Sequence, residues 1–333
     1  MDSSLHTNLP ERLGAITVKE LRQSLRRTSF IYPFIFIHIF ATTSILVEFQ
    51  LGSNHLSSGN PAVLQWEGDK VGYFWWIAMS VCGLLMPLAG FFLMPQETDE
   101  GNHELLLLAS LSRWQIVFEK FLMLWGLSLL TFVSLLPYII IRYFIGGIEW
   151  LHELANSGTV LAVAAIIAAA SLAASGFKHM AAKASVFILF LFCTLLGGGI
   201  GMIGPAMVMD LAKTSRWLVP SAIFYHLCAV VMVSSFCFIG LLVARSRLRL
   251  AVMNFEVKPS SLILIMLGVA PFIIGAIAAC TCGFGSILGV LLIAYLAWNT
   301  DRTPKAPKSF PAPAPNIPLA STNPNPGILY PDQ

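Results

Sequence analysis

Charge is what this sequence is short of. Only 11% of its 333 residues are charged, against 56% that are hydrophobic, and its mean hydropathy is +0.76. Soluble domains carry about 25% charged residues, so a water-facing globule is excluded and lipid is the expected solvent. The net charge of +3 is too small to argue for nucleic acid, and no such partner is expected. Cysteine is sparse as well. Cys82, Cys193, Cys228 and Cys237 sit inside long apolar runs as small apolar residues, which excludes a disulfide framework. Cys280, Thr281 and Cys282 are too closely spaced for a zinc knuckle and have no second ligand pair, so they read as a tight turn and no metal is expected.

Catalytic signatures are absent too. No glycine-rich phosphate loop ending in Gly, Lys and Ser or Thr occurs, so the chain cannot bind ATP in that manner. Neither a His, Glu, x, x, His zinc motif nor a Gly, x, Ser, x, Gly elbow appears in a plausible context. No catalytic residue, no cofactor and no enzymatic activity is therefore expected on this chain. A cleavable signal peptide is not expected either, because Asp2, Glu11 and Glu20 precede the first apolar run.

What is present is a series of apolar segments long enough to cross a bilayer, for which a helix needs about 20 residues. Six stand out, at 30–49, 72–94, 121–141, 158–177, 184–203 and 221–244. A seventh stretch, 262–298, is divided near Cys280 to Gly283 and reads either as a tight hairpin of two helices or as a re-entrant pair. Threading eight spans puts Arg12, Lys19, Arg22, Arg26 and Arg27 on one side, together with every other basic residue except Lys70, Arg142, Lys213 and Arg216. Because basic residues in short loops stay cytoplasmic, both ends of the chain are expected inside. The expected fold is an all-α, polytopic membrane bundle of six core spans plus a C-terminal hydrophobic hairpin. Residues 1–29 form a cytoplasmic segment, 30–298 the transmembrane domain, and 299–333 a disordered, proline-rich cytoplasmic tail.

Two spans carry packing information. The fourth is dominated by alanine with Ser171, Ser175 and Gly176, small residues that let another backbone approach, so it belongs in the bundle interior or at a dimer seam. The fifth ends in Gly197, Gly198, Gly199, Gly201 and Pro205, which should unwind the helix near the external leaflet. Polar groups at membrane depth are few. They are His38 and Glu48 in span one and His226 in span six; Glu48 lies near the outer end and can reach water, while His38 and His226 are candidates for a proton relay, though each can stay neutral while hydrogen-bonded.

Before span one, Val18, Leu21 and Leu25 recur at helical spacing while Lys19, Arg22, Arg26 and Arg27 face elsewhere. That pattern suits an interfacial helix in contact with membrane lipid. Between spans two and three, residues 95–120 begin acidic with Glu97, Asp99, Glu100 and Glu104, break at Gly101 and Asn102, and continue through Leu105, Leu106, Leu107 and Leu108. Ser112 followed by Gln115 is a capping-box pattern, so a helix should start there and run through Lys120 into span three. So many leucines on a short elbow call for another surface, either the membrane interface or a cytoplasmic protein.

This loop resembles the first cytoplasmic loop of ABC-2 type transporter permeases. Glu97, Gly101, Glu104, Leu105, Leu106, Leu107, Leu111, Ser112, Ile116, Val117 and Lys120 match the family pattern, whereas Asn102, Ser110 and Glu119 depart from it. The N-terminal basic helix, with Lys19, Leu21, Arg22, Leu25 and Arg26, looks like the family's connecting helix. The resemblance implies a permease subunit, an exporter in a bacterial cytoplasmic membrane. It further implies pairing with a second permease chain and coupling to a separate ATPase subunit through this loop. Two readings compete: an ion-gradient-driven transporter or channel, which needs charged or unwound helices at the midplane, and a membrane scaffold without transport.

Overall fold

In a computed structural model the described residues are 21–57, 73–92, 113–146, 150–177, 179–213, 218–247 and 261–281. Beyond these come residues 283, 285, 287, 289, 291, 294 and 295. Every element among them is helical and none is a strand, as expected where the backbone must satisfy itself in lipid. In chain order they are α1 (Thr28–Ser57), α2 (Tyr73–Ala78), α3 (Arg113–Gly146), α4 (Trp150–Ser175), α5 (Met180–Lys213), α6 (Leu218–Arg247) and α7 (Ser261–Cys280). Helix α2 continues through a π-helical segment, Met79–Leu85, and a 3-10 segment, Pro87–Phe92, and the three together make span two. Among the described residues six helical spans are long and apolar enough to cross a membrane.

Consecutive helices alternate in direction, and side-chain contacts define two ends of the bundle. At one end the close of span two meets the start of α5, where Lys183 reaches Phe91, and the start of α3 meets the close of α6, where Arg245 lies over Trp114. At the other end Trp75, Arg142 and Glu153 bring together the start of α2, the close of α3 and the start of α4.

Helix α4 is central, with Ala164, Ala168, Ala169, Ala170, Leu172, Ala173 and Ala174 all buried. Of the two positions expected for this alanine-rich span, the structure shows the interior. A methyl at Gly240 of α6 would sit about 2.9 Å from the Ala169 Cβ, so small side chains on both helices set the spacing. Outward-facing positions of α1 and α5, such as Tyr32, Ile35, Ile39, Ile188, Phe192 and Leu195, are exposed and apolar, as a lipid-facing surface requires.

The expected unwinding of span five does not occur. Helix α5 runs unbroken from Met180 to Lys213 with Pro205 inside it. Its glycines serve packing: a side chain at Gly197 would overlap the Pro271 carbonyl of α7, and one at Gly275 would overlap the Gly197 carbonyl. Two backbones touch there. The stretch after α7 turns at Gly283, whose φ of 99° suits glycine. Gly283 N–H bonds back to Ala278 O at 2.6 Å. Gly285 and Gly289, again helical, lie against Ile277 and Ile274. The described residues after Gly283 fold back against α7, and α7 itself packs on α5 at Gly197.

Candidate functional site

The end of the bundle that holds Lys183 collects the described basic residues of the N-terminal stretch. Residues 21–25 form a helical turn with Leu21 and Leu25 half-buried and Arg22 exposed. The chain then bends at Arg26 and Arg27, where Arg27 N–H bonds to Ser24 O at 3.1 Å, before α1 begins. The turn is amphipathic as the sequence suggests, while Lys19 lies outside the described residues. Ser24, Arg27, Met86 and Met123 help to line a cavity of about 40 Å³ between this turn, span two and α3. At about 10–15 Å³ per water, that is room for about three or four waters.

Of the loop between spans two and three, Glu97, Glu100, Gly101, Glu104, Leu105, Leu106, Leu107, Leu111 and Ser112 lie outside the described residues, and the structure gives its two stems. The outgoing stem is regular. Helix α3 starts at Arg113, directly after the serine expected to cap it, and Ile116, Val117 and Lys120 are fully buried. Lys120 thus points into the bundle. Trp114 stacks on Phe238 of α6 at 5.7 Å and carries the Arg245 guanidinium 5.0 Å from its ring centre. Stacking and cation–π contact anchor this stem to α6.

The incoming stem is irregular on both sides of Pro87. Proline lacks an N–H and crowds the carbonyl four residues back, which weakens an α-helix at that point; Pro205 is nevertheless carried inside the unbroken α5. The ladder widens before Pro87, with Met86 N–H bonding to Val81 O at 3.0 Å, and tightens after it, with Ala89 N–H bonding to Met86 O at 3.3 Å. Two carbonyls of this stretch also accept from side chains of other helices. Ser171 Oγ of α4 donates to Pro87 O at 2.8 Å, and the buried Lys183 Nζ of α5 donates to Phe91 O at 3.2 Å. Irregular backbone at this depth is tolerated because protein surrounds it.

At the opposite end, Arg142 Nη1 donates to both carboxylate oxygens of Glu153, at 2.9 and 3.0 Å, with the two residues 6% and 5% exposed. Trp75 Nε1 donates to the same carboxylate at 3.2 Å. The guanidinium also lies 4.9 Å from the Phe74 ring centre and 5.9 Å from that of Trp75. The carboxylate is at the first turn of α4, where the helix dipole favours negative charge. Sequence reasoning missed this pair and counted Arg142 only as a basic residue on the minority side. The available signal was an arginine and a glutamate at facing ends of two consecutive long helices joined by a short link.

Between α1 and α3, His38 joins Ser134 and Tyr138. Ser134 Oγ lies 2.6 Å from Thr131 O and 3.1 Å from His38 Nε2, and His38 Nδ1 lies 3.3 Å from the Tyr138 hydroxyl. The single serine proton goes to the carbonyl, so Nε2–H donates to Ser134 and Nδ1 accepts from Tyr138, which makes a neutral imidazole sufficient. His226 is exposed on α6 with Tyr225 as its ring neighbour, so the two histidines are not brought together. Span one runs through Glu48 as helix, and the Glu48 side chain lies outside what is described. Among the described residues no group of His, Cys, Asp or Glu is placed to hold a metal ion. No protein-family model, curated protein or solved structure matches this chain.

Proposed function

We propose that this chain is the membrane-spanning subunit of an ABC-2 type exporter with eight spans, both ends cytoplasmic, driven by a separate ATPase subunit. On this reading it resides in a bacterial cytoplasmic membrane and pairs with a second permease chain. The observation that carries the proposal is the acidic and leucine-rich sequence from Glu97 to Ser112, with its likeness to the permease loop. Two features support it. The loop's outgoing stem is fixed to α6 while its incoming stem is held by side chains of α4 and α5. In addition, Arg22, Arg26, Arg27, Lys120, Lys183 and Arg245 all lie at the bundle end to which this loop returns, where the positive-inside bias puts the cytoplasm.

Purification of the full chain from its native membrane, with and without Glu104→Lys, tests the reading. The wild type is expected to bring down ATP hydrolysis, and the variant, inserted at normal level, to lose it. Wild type that purifies without an ATPase, or a variant that keeps one, overturns the proposal. A second reading, ion-gradient-driven transport, draws on the His38, Ser134 and Tyr138 network. It requires proton flux into proteoliposomes that His38→Phe abolishes.

A further inference from the structure

Among the described residues, span two alone leaves the α-helical hydrogen-bond pattern in mid-course. It is π-helical for seven residues and then 3-10 for six. Runs of either kind are short-lived as regular structure and often mark a hinge. Here each carries a mark of low intrinsic stability. Gly83 and Gly90 supply no side chain to stiffen the backbone, and Pro87 withholds a donor. Beside the packing of Phe91 on Phe187, the 3-10 segment is held from outside by a hydroxyl from α4 and an ammonium from α5. Such side-chain bonds can break and re-form with no change to the helices that supply them.

We infer that Met79–Phe92 is the moving joint of this bundle, and that Ser171 and Lys183 are the two pins that close it. Two arrangements of the backbone follow from its chemistry. The observed one has wide and tight turns with both pins made. In the other the pins are released and one residue passes through the turn. A shift of one residue turns everything beyond it by about 100° and advances it by about 1.5 Å, which re-aims the chain entering the loop at residue 93 while α3 stays anchored through Trp114 and Arg245. Close packing makes the step discrete: a methyl at Gly90 would overlap Ser171 Oγ and the Leu124 side chain, so the tight segment sits in one seat or out of it. Lys183 is a positioning residue here, acting through a backbone carbonyl. The inference depends on this geometry alone and stands whether or not an ATPase is the partner.

Hydrogen–deuterium exchange on the full chain in lipid nanodiscs tests it without any variant. Amides of 79–92 are expected to exchange about tenfold or more faster than those of 166–175, which lie beside them in regular helix, since opening requires loss of only a few hydrogen bonds. Lys183→Met should quicken 87–92 further while leaving 166–175 unchanged, and Lys183→Arg, which keeps a donor, should restore the wild-type rate. Exchange in 79–92 as slow as in 166–175 overturns the joint. A Lys183→Met protein with wild-type rates in 87–92, or one that quickens both segments alike, overturns the pin.

Discussion

At the scale of single residues, the strongest electrostatic commitment is Arg142 with Glu153, which are almost wholly removed from solvent. An ion pair at such a site offsets a desolvation cost that neither partner could bear alone, and deleting one partner leaves an uncompensated charge. Glu153→Gln or Arg142→Met is therefore expected to cost about 3–5 kcal/mol, read as a lower unfolding midpoint in detergent titration. The double variant should lose less than either single one. Costs that simply add would show that the two side chains act independently. The His38 network predicts a smaller effect. Ser134→Ala removes the acceptor for Nε2–H, and hydrogen bonds between membrane helices average about 0.6 kcal/mol with a ceiling near ~1.7 kcal/mol. A loss in that range by the same titration fits a packing role, whereas abolished proton flux with unchanged stability would favour the relay. Both sites were only half legible in sequence. His38 stands out because an imidazole in an apolar run is conspicuous. Glu153 does not, because it sits where the hydropathy of span four has yet to rise, and its partner is identified only once the two helix ends are placed side by side.

At the scale of elements, apolar runs marked the spans well and the helices poorly. Helix α3 has 34 residues, about 50 Å at 1.5 Å per residue, against a hydrocarbon core of about 30 Å. Arg113 to Lys120 extend it at one end and Arg142 to Gly146 at the other, since the hydrogen-bond ladder does not stop where hydropathy falls. The same gap between local signal and tertiary use explains the glycines of α5. In isolation, Gly197 to Gly201 read as a breaker; against α7 they are the seat of a backbone contact, which no local pattern discloses. Matched substitutions test this. Gly275→Leu, forced against the Gly197 carbonyl, is expected to cost about 1–3 kcal/mol through overpacking and to expose residues 261–295 to protease. Gly268→Ala, with open space around its Cβ position, should cost nothing. Equal tolerance of both would mean that α7 does not pack on α5. The π and 3-10 turns of span two were equally hidden, although Pro87 was in plain view, because two carbonyls of that stretch are bonded by Ser171 and Lys183 from remote parts of the chain.

At the scale of the whole molecule, the unequal distribution of charge bears on the orientation proposed above. Of the four basic residues that threading placed on the minority side, Arg142 is neutralised by Glu153. It therefore exerts little pull against the cluster of Arg22, Arg26 and Arg27 at the opposite end, which strengthens the bias that retains basic loops in the cytoplasm. Four of the native cysteines, Cys82, Cys193, Cys228 and Cys237, are buried, and Cys280 is exposed. Orientation can thus be read by thiol labelling once Cys280 and Cys282 are replaced by serine. In intact cells a membrane-impermeant maleimide should label Ser58→Cys, in the link between spans one and two, and leave Ser110→Cys untouched. After permeabilisation both should react. The opposite pattern would put the acidic, leucine-rich loop on the far side of the membrane from any ATP-hydrolysing partner. The exporter reading would then fail, while the joint in span two, argued from the geometry of 79–92 and its bonds to Ser171 and Lys183, would remain open to its own test.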